Sequence, residues 1–137
     1  MTVKSKRLLV IYYNYDPPGK MRLAIQHHLR GLEQGASPHR IVYHNAYTAP
    51  YWELDEQLES PPPAVRQTEF DAVILHNSFL CLRWTGWHFY KLKRRFDWIR
   101  QINVPKIAIP QDEGDHAGLL DEWLLEWGVQ AVLTVHH

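Results

Sequence analysis

Apolar residues in this chain follow two alternating rhythms. Compact aliphatic, β-branched and aromatic runs cover residues 7–13, 39–44, 71–76, 104–109 and 131–135. Runs of this kind predict strands buried on both faces, as in a parallel sheet. Between them, apolar positions recur at helical spacing: Met21, Ile25, Leu29 and Leu32, then Phe89, Leu92, Phe96 and Ile99, then Leu120, Trp123, Leu124 and Trp127. The spacing predicts one helix from Lys20 to a C-cap at Gly35. A second runs from Gly86 to Gln101 behind an N-cap at Thr85, and a third from Asp115 or His116 to Gly128. Residues 45–69 are the least regular. A short helix over 51–58, stopped by the prolines at 61–63, is one reading; a small edge strand or a flap is the other.

Strands alternating with helices predict an α/β, Rossmann-like, doubly wound and mostly parallel sheet of about five strands with helices on both faces. The first strand is expected centrally, with the chain reversing beside it. Loops after the first strand, after 71–76 and after 104–109 then gather at one rim, where open α/β sheets carry their sites. The last run reads as a buried strand followed only by His136 and His137. Residues 1–137 are therefore expected to be a single domain that forms the N-terminal half of a two-domain protein.

Composition narrows the classes. A length of 137 residues supports one core without staples, and 15 acids balance 15 bases, which argues against nucleic acid as a partner. A lone cysteine, Cys81, excludes an intrachain disulfide framework, and no run is long enough for a membrane span, so a cytoplasmic domain is expected. Six Trp and seven Tyr are many for this length, and several are expected near the surface. Trp84, Trp87, Lys91, Arg94 and Arg95 lie on or beside the predicted helix 86–101. They read either as a solvated face or as a surface for an anionic membrane or a partner, with Trp98 in the same stretch.

Candidate chemistry concentrates on the rim loops. The loop 14–20 holds Pro18, Gly19 and Lys20 ahead of a helix N-terminus, which suits an anion or a hydroxyl-rich ligand, although it matches no glycine-rich phosphate motif. Residues 109–116 carry Gln111, Asp112, Glu113, Asp115 and His116. Neighbouring residues rarely all face one ion, so no metal site is assigned. Asp112 or His116 can act as an acid/base or grip a sugar hydroxyl, while helix capping by Asp115 is the plainer role. His76 and Asn77 end the strand 71–76 with hydrogen-bonding side chains, and a structural role for His76 stands beside a binding one. Cys81 has no cationic base at a catalytic spacing.

Several of these segments together resemble the N-terminal half of GT-B glycosyltransferases, in particular the retaining nucleotide-sugar-dependent class. The matching pieces are the loop Tyr15-Asp-Pro-Pro-Gly19, the segment Ser37-Pro-His-Arg-Ile-Val-Tyr43, the strand Asp71-Ala-Val-Ile-Leu-His76, the Val104-Pro105 strand and the final run 131–135. The sequence departs from that pattern where Lys20 or Met21 replaces a second glycine, where Gln111-Asp112 replaces a His-Asp pair, and where His136 replaces a serine. The resemblance implies transfer of a sugar from a nucleotide sugar to a sugar or small-molecule acceptor, with no cofactor. The donor would be gripped mainly by a C-terminal domain, without which the chain is expected to be inactive. Asp112 and His116 are then the catalytic candidates. Pro18, Gly19, Lys20, His76, Asn77, Gln111 and Glu113 form the implied binding set. Receiver-like and flavin-binding readings fail for want of their acidic cluster and phosphate loop. A stand-alone interaction module, docking through a strand edge and exposed aromatics, remains the alternative.

Overall fold

In the computed structural model, residues 4–15, 23–55, 57 and 59–133 are described. The strands are β1 (Arg7–Tyr12), β2 (Arg40–Asn45), β3 (Ala72–Leu75), β4 (Lys106–Ala108) and β5 (Ala131–Val132). They form one parallel sheet in the order β2-β1-β3-β4-β5. This is the α/β Rossmann-like architecture that the alternation predicts. β1 is interior and β3 is central, and the chain reverses direction between the two.

Pleating divides the strand residues cleanly. Leu9, Ile11, Val73, Leu75 and Ala108 join one buried cluster, whereas Val10 and Ile74 join another with Ile107 packed against it. Right-handed crossovers running in opposite directions from the switch point put helices on opposite faces. Helix α1 (Leu23–Ala36) covers the smaller cluster with Ile25 and Leu29. The other face carries α2 (Pro63–Arg66), α3 (Asn77–Leu80), α4 (His88–Arg95), α5 (Asp97–Arg100) and α6 (Ala117–Glu126). Phe79, Trp123 and Trp127 meet there at ring separations of 5.3–6.0 Å, with Phe89 4.9 Å from Trp123. The apolar stripes of the second and third predicted helices are all buried.

Four expectations need correction. The helix 86–101 breaks at Phe96, because the Arg95 carbonyl accepts the distant Glu59 N–H at 3.0 Å instead of serving an unbroken helix. Thr85 does not cap it. Its hydroxyl donates to the Leu82 carbonyl at 2.7 Å and closes the preceding 3₁₀ turn, Cys81–Trp84, after which Gly86 adopts a φ of 67°. The prolines at 61–63 start a helix rather than stop one. Pro63 occupies a first-turn position where no N–H is required, and only a 3₁₀ turn, Tyr51–Glu53, precedes it. Lastly, β5 is exposed, not buried, because it is an edge strand paired with β4 alone. The predicted continuation of that strand, along with Met21, His136 and His137, lies outside the described residues.

Candidate functional site

The rim at the carboxyl ends of β1, β3 and β4 is built by side chains that lock neighbouring loops together. Asn45, at the end of β2, accepts the N–H groups of Asn14 and Tyr47 through Oδ1 at 3.0 and 3.1 Å. Its Nδ2 donates to the Asn14 carbonyl. The β1 and β2 ends are thereby tied.

His76 follows β3 and caps α3. Its Nδ1 accepts the Ser78 N–H at 3.1 Å, so the ring proton belongs on Nε2, and Ser78 Oγ donates to the same Nδ1 at 2.8 Å. Ser78 Oγ in turn accepts the Tyr13 N–H at 3.0 Å, joining β3 to the end of β1. Burial, helped by His28 whose ring is 5.7 Å away, pulls the His76 pKa down to about 4. His76 is thus a neutral, oriented imidazole at physiological pH.

The 111–116 loop is held from below by Arg83, which is fully buried. Its guanidinium donates from Nε to the Asp115 carbonyl, from Nη1 to Leu80, and from Nη2 to both Gln111 and Asp112, all within 2.9–3.1 Å. This clamp fixes a loop in which Asp112 and His116 both take left-handed φ values, 54° and 53°. Such values cost non-glycine residues free energy unless their surroundings impose them. Above the clamp, Asn77 Nδ2 donates to Gln111 Oε1 at 2.8 Å and bridges the loops after β3 and β4.

A cavity of about 470 Å³ opens beside this bridge. Its floor holds Asn77, Ser78, Cys81 and Gln111, and α1 contributes Ala24, Ile25 and His28. The remaining wall is aromatic, with Tyr13 and Tyr47 packed edge-on at 5.4 Å and Tyr51 and Trp52 edge-on at 5.0 Å. Burial, reinforced by Tyr47 and Tyr51, pushes the Tyr13 phenol up to about 12, so it stays protonated. Burial likewise raises the Cys81 thiol, which offers no ready thiolate. A second, shallower cavity of about 580 Å³ lies between α1 and the end of β4. The two cavities share His28, Asn77 and Gln111.

His76, Asn77 and Gln111 therefore converge at one place. Asp112, Glu113 and His116 line neither cavity, and the Asp112 and His116 side chains are exposed on the loop just past Gln111. Pro18, Gly19 and Lys20 lie outside the described residues. Among the described residues, no group of three His, Cys, Asp or Glu side chains could hold a metal ion, and no helix is long and apolar enough to cross a membrane.

On the far surface, Trp87 is 74% exposed with Lys91 5.4 Å from its ring, and Trp84 is exposed beside it. Arg94 is exposed, but Arg95 is half-buried and paired with Asp55 and Glu59. Trp98 is buried against His44 and leaves that surface. Residues with no sequence signal include Arg83, which lies in no recognisable motif, and the wall residues Tyr47, Tyr51 and Trp52, from the stretch with the weakest periodicity. Their abundance as aromatics was the one available clue.

No family model matches the chain, and no curated protein matches it significantly.

Proposed function

We propose that residues 1–137 are the acceptor-side domain of a GT-B glycosyltransferase that moves a sugar from a nucleotide-sugar donor to an acceptor. The observation supporting this most directly is the aromatic-walled cavity at the point where the sheet reverses direction, with two side-chain amides at its floor. Acceptor binding needs a dry, shaped recess with a few polar groups that fix one hydroxyl. Reaction is substitution at the anomeric carbon: the acceptor oxygen bonds to that carbon as the bond to the nucleotide diphosphate breaks, and the hydroxyl proton is released. Asn77 and Gln111 orient the hydroxyl. Asp112 and His116, displayed by the Arg83-clamped loop next to Gln111, act where donor and acceptor meet. The donor itself is held chiefly by a second domain.

The test uses the full-length gene product and reads nucleotide diphosphate release with and without Asp112→Asn. A fall of at least tenfold in turnover, with acceptor affinity retained, is expected for a group acting at the reacting atoms. Unchanged turnover removes Asp112 from the reaction.

A second reading, a docking module, rests on the exposed ring of Trp87 together with Tyr90 and Trp84. Under it, Trp87→Ala abolishes partner capture while Asp112→Asn leaves it intact. Peripheral attachment to an anionic membrane would use the same aromatics with Lys91 and Arg94, and vesicle co-sedimentation with and without anionic lipid checks it.

A further inference from the structure

The cavity has few polar groups left to offer. Ser78 Oγ is occupied at both ends, donating to His76 Nδ1 and accepting from the Tyr13 N–H. Thr85 donates its hydroxyl hydrogen to the Leu82 carbonyl. Asn77 Nδ2 and Gln111 Oε1 satisfy one another. What this bridge leaves is one acceptor, Asn77 Oδ1, and one donor, Gln111 Nε2. Among the described residues neither takes a further side-chain partner. One acceptor beside one donor suits a single hydroxyl, which donates and accepts at once.

A free sugar fits that arrangement poorly. It carries a hydroxyl on most ring carbons, and each one taken out of water without a partner costs free energy. Rings at Tyr13, Tyr47, Tyr51 and Trp52 reward the opposite kind of ligand, one with a flat apolar body. Stacking alone does not decide, since a sugar's apolar face also packs on indole. The hydroxyl count does.

We infer that the acceptor is a planar, largely apolar molecule bearing one hydroxyl, a phenol or a similar aglycone. Its ring lies among Tyr47, Tyr51 and Trp52, and its hydroxyl lies between Asn77 and Gln111. This rests on the transferase reading for the word acceptor, but the ligand class stands on the cavity alone.

The chain supplies its own reporter, because its single cysteine lines the cavity. Alkylation of Cys81 by N-ethylmaleimide is followed at about pH 8.5, near the pKa of a free thiol. The 137-residue chain is titrated with 2-naphthol, with its methyl ether, and with methyl β-glucoside, and calorimetry gives the affinities. Expected is protection of Cys81 by 2-naphthol, with affinity about tenfold above the ether and the glucoside. Trp52→Ala, a change at an exposed ring that leaves folding intact, weakens 2-naphthol about tenfold. Asn77→Ala weakens 2-naphthol but not the ether.

Protection by the glucoside and not by 2-naphthol overturns the inference and leaves the transferase reading standing. Protection by neither also overturns it. If 2-naphthol binds but the full-length protein releases no nucleotide diphosphate from any nucleotide sugar supplied with it, the transferase reading falls and the ligand class survives.

Discussion

His76 and Arg83 are both buried polar side chains, and they respond to their burial in opposite ways. His76 gives up its charge: burial, with His28 beside it, leaves a folded-state pKa of about 4 against the 6.5 of a free imidazole. Between those two values the unfolded chain binds the proton and the folded chain does not, so stability falls as pH drops from 6.5 to 4 and levels off below. The loss is on the order of 3 kcal/mol. His76→Asn keeps the cap, since an amide oxygen can accept the Ser78 N–H in place of Nδ1. Urea denaturation at pH 7 and pH 4.5 should therefore show a smaller acid loss in the variant; an unchanged difference would assign the acid sensitivity to other groups, such as His44, whose pKa burial also lowers. Arg83 keeps its charge by donating to the carbonyls of Leu80, Gln111, Asp112 and Asp115. Arg83→Met leaves those oxygens without donors and should cost about 2–4 kcal/mol. It should also speed amide exchange across 111–116. A loss below about 0.5 kcal/mol, the range of ordinary surface substitutions, would mean that the clamp is dispensable.

Helix α6 shows how much of an element can be legible in sequence. Its stripe of Leu120, Trp123, Leu124 and Trp127 predicts the buried face, and Gly128 predicts the stop. The structure gives that stop its geometry: Val129 N–H reaches the Leu124 carbonyl and Gly128 N–H the Leu125 carbonyl, with Gly128 at φ 66°. This paired closure requires a left-handed residue, and no neighbouring atom crowds the position of an added Cβ. Gly128→Ala should thus cost about 1 kcal/mol through backbone strain alone, read as a lower denaturation midpoint at unchanged slope. A neutral result would show that the closing turn relaxes. The break at Phe96 is the contrary case. Neither proline nor glycine marks it, and a periodic stripe runs straight through Phe89, Leu92, Phe96 and Ile99. Its cause is Glu59, distant in sequence, whose N–H takes the Arg95 carbonyl while the Arg95 side chain reaches Asp55 and Glu59. A contact of that kind leaves no local trace. Pro61–Pro63 mislead for a related reason: a proline that stops one helix is also suited to begin the next.

Across the whole molecule, the alternation of strands and helices carries the sheet, its reversal and the location of the rim, because those follow from chain periodicity and handedness. The cavity wall does not follow from them. Tyr47, Tyr51 and Trp52 come from the irregular crossover that leads from β2 past β1 to β3, and only packing brings them opposite Asn77 and Gln111. The two sheet faces are also unequal. α1 anchors the smaller cluster through Ile25 and Leu29, whereas α3 to α6 share the large aromatic one. Less burial means a lower free energy for local opening, so α1 should exchange its amides faster than α6. The cavity couples that helix to the rest, since Ala24, Ile25 and His28 face it from α1 while Cys81 and Trp52 face it from the opposite layer. A ligand that binds only the closed cavity stabilises the closed state in proportion to its saturation. With 2-naphthol at about one hundred times its dissociation constant, exchange in the first two turns of α1 should slow by up to about a hundredfold, while α6 changes little unless it opens only by global unfolding. Equal slowing of both helices would mean that α1 has no independent opening, and slowing of neither would place the ligand outside the cavity.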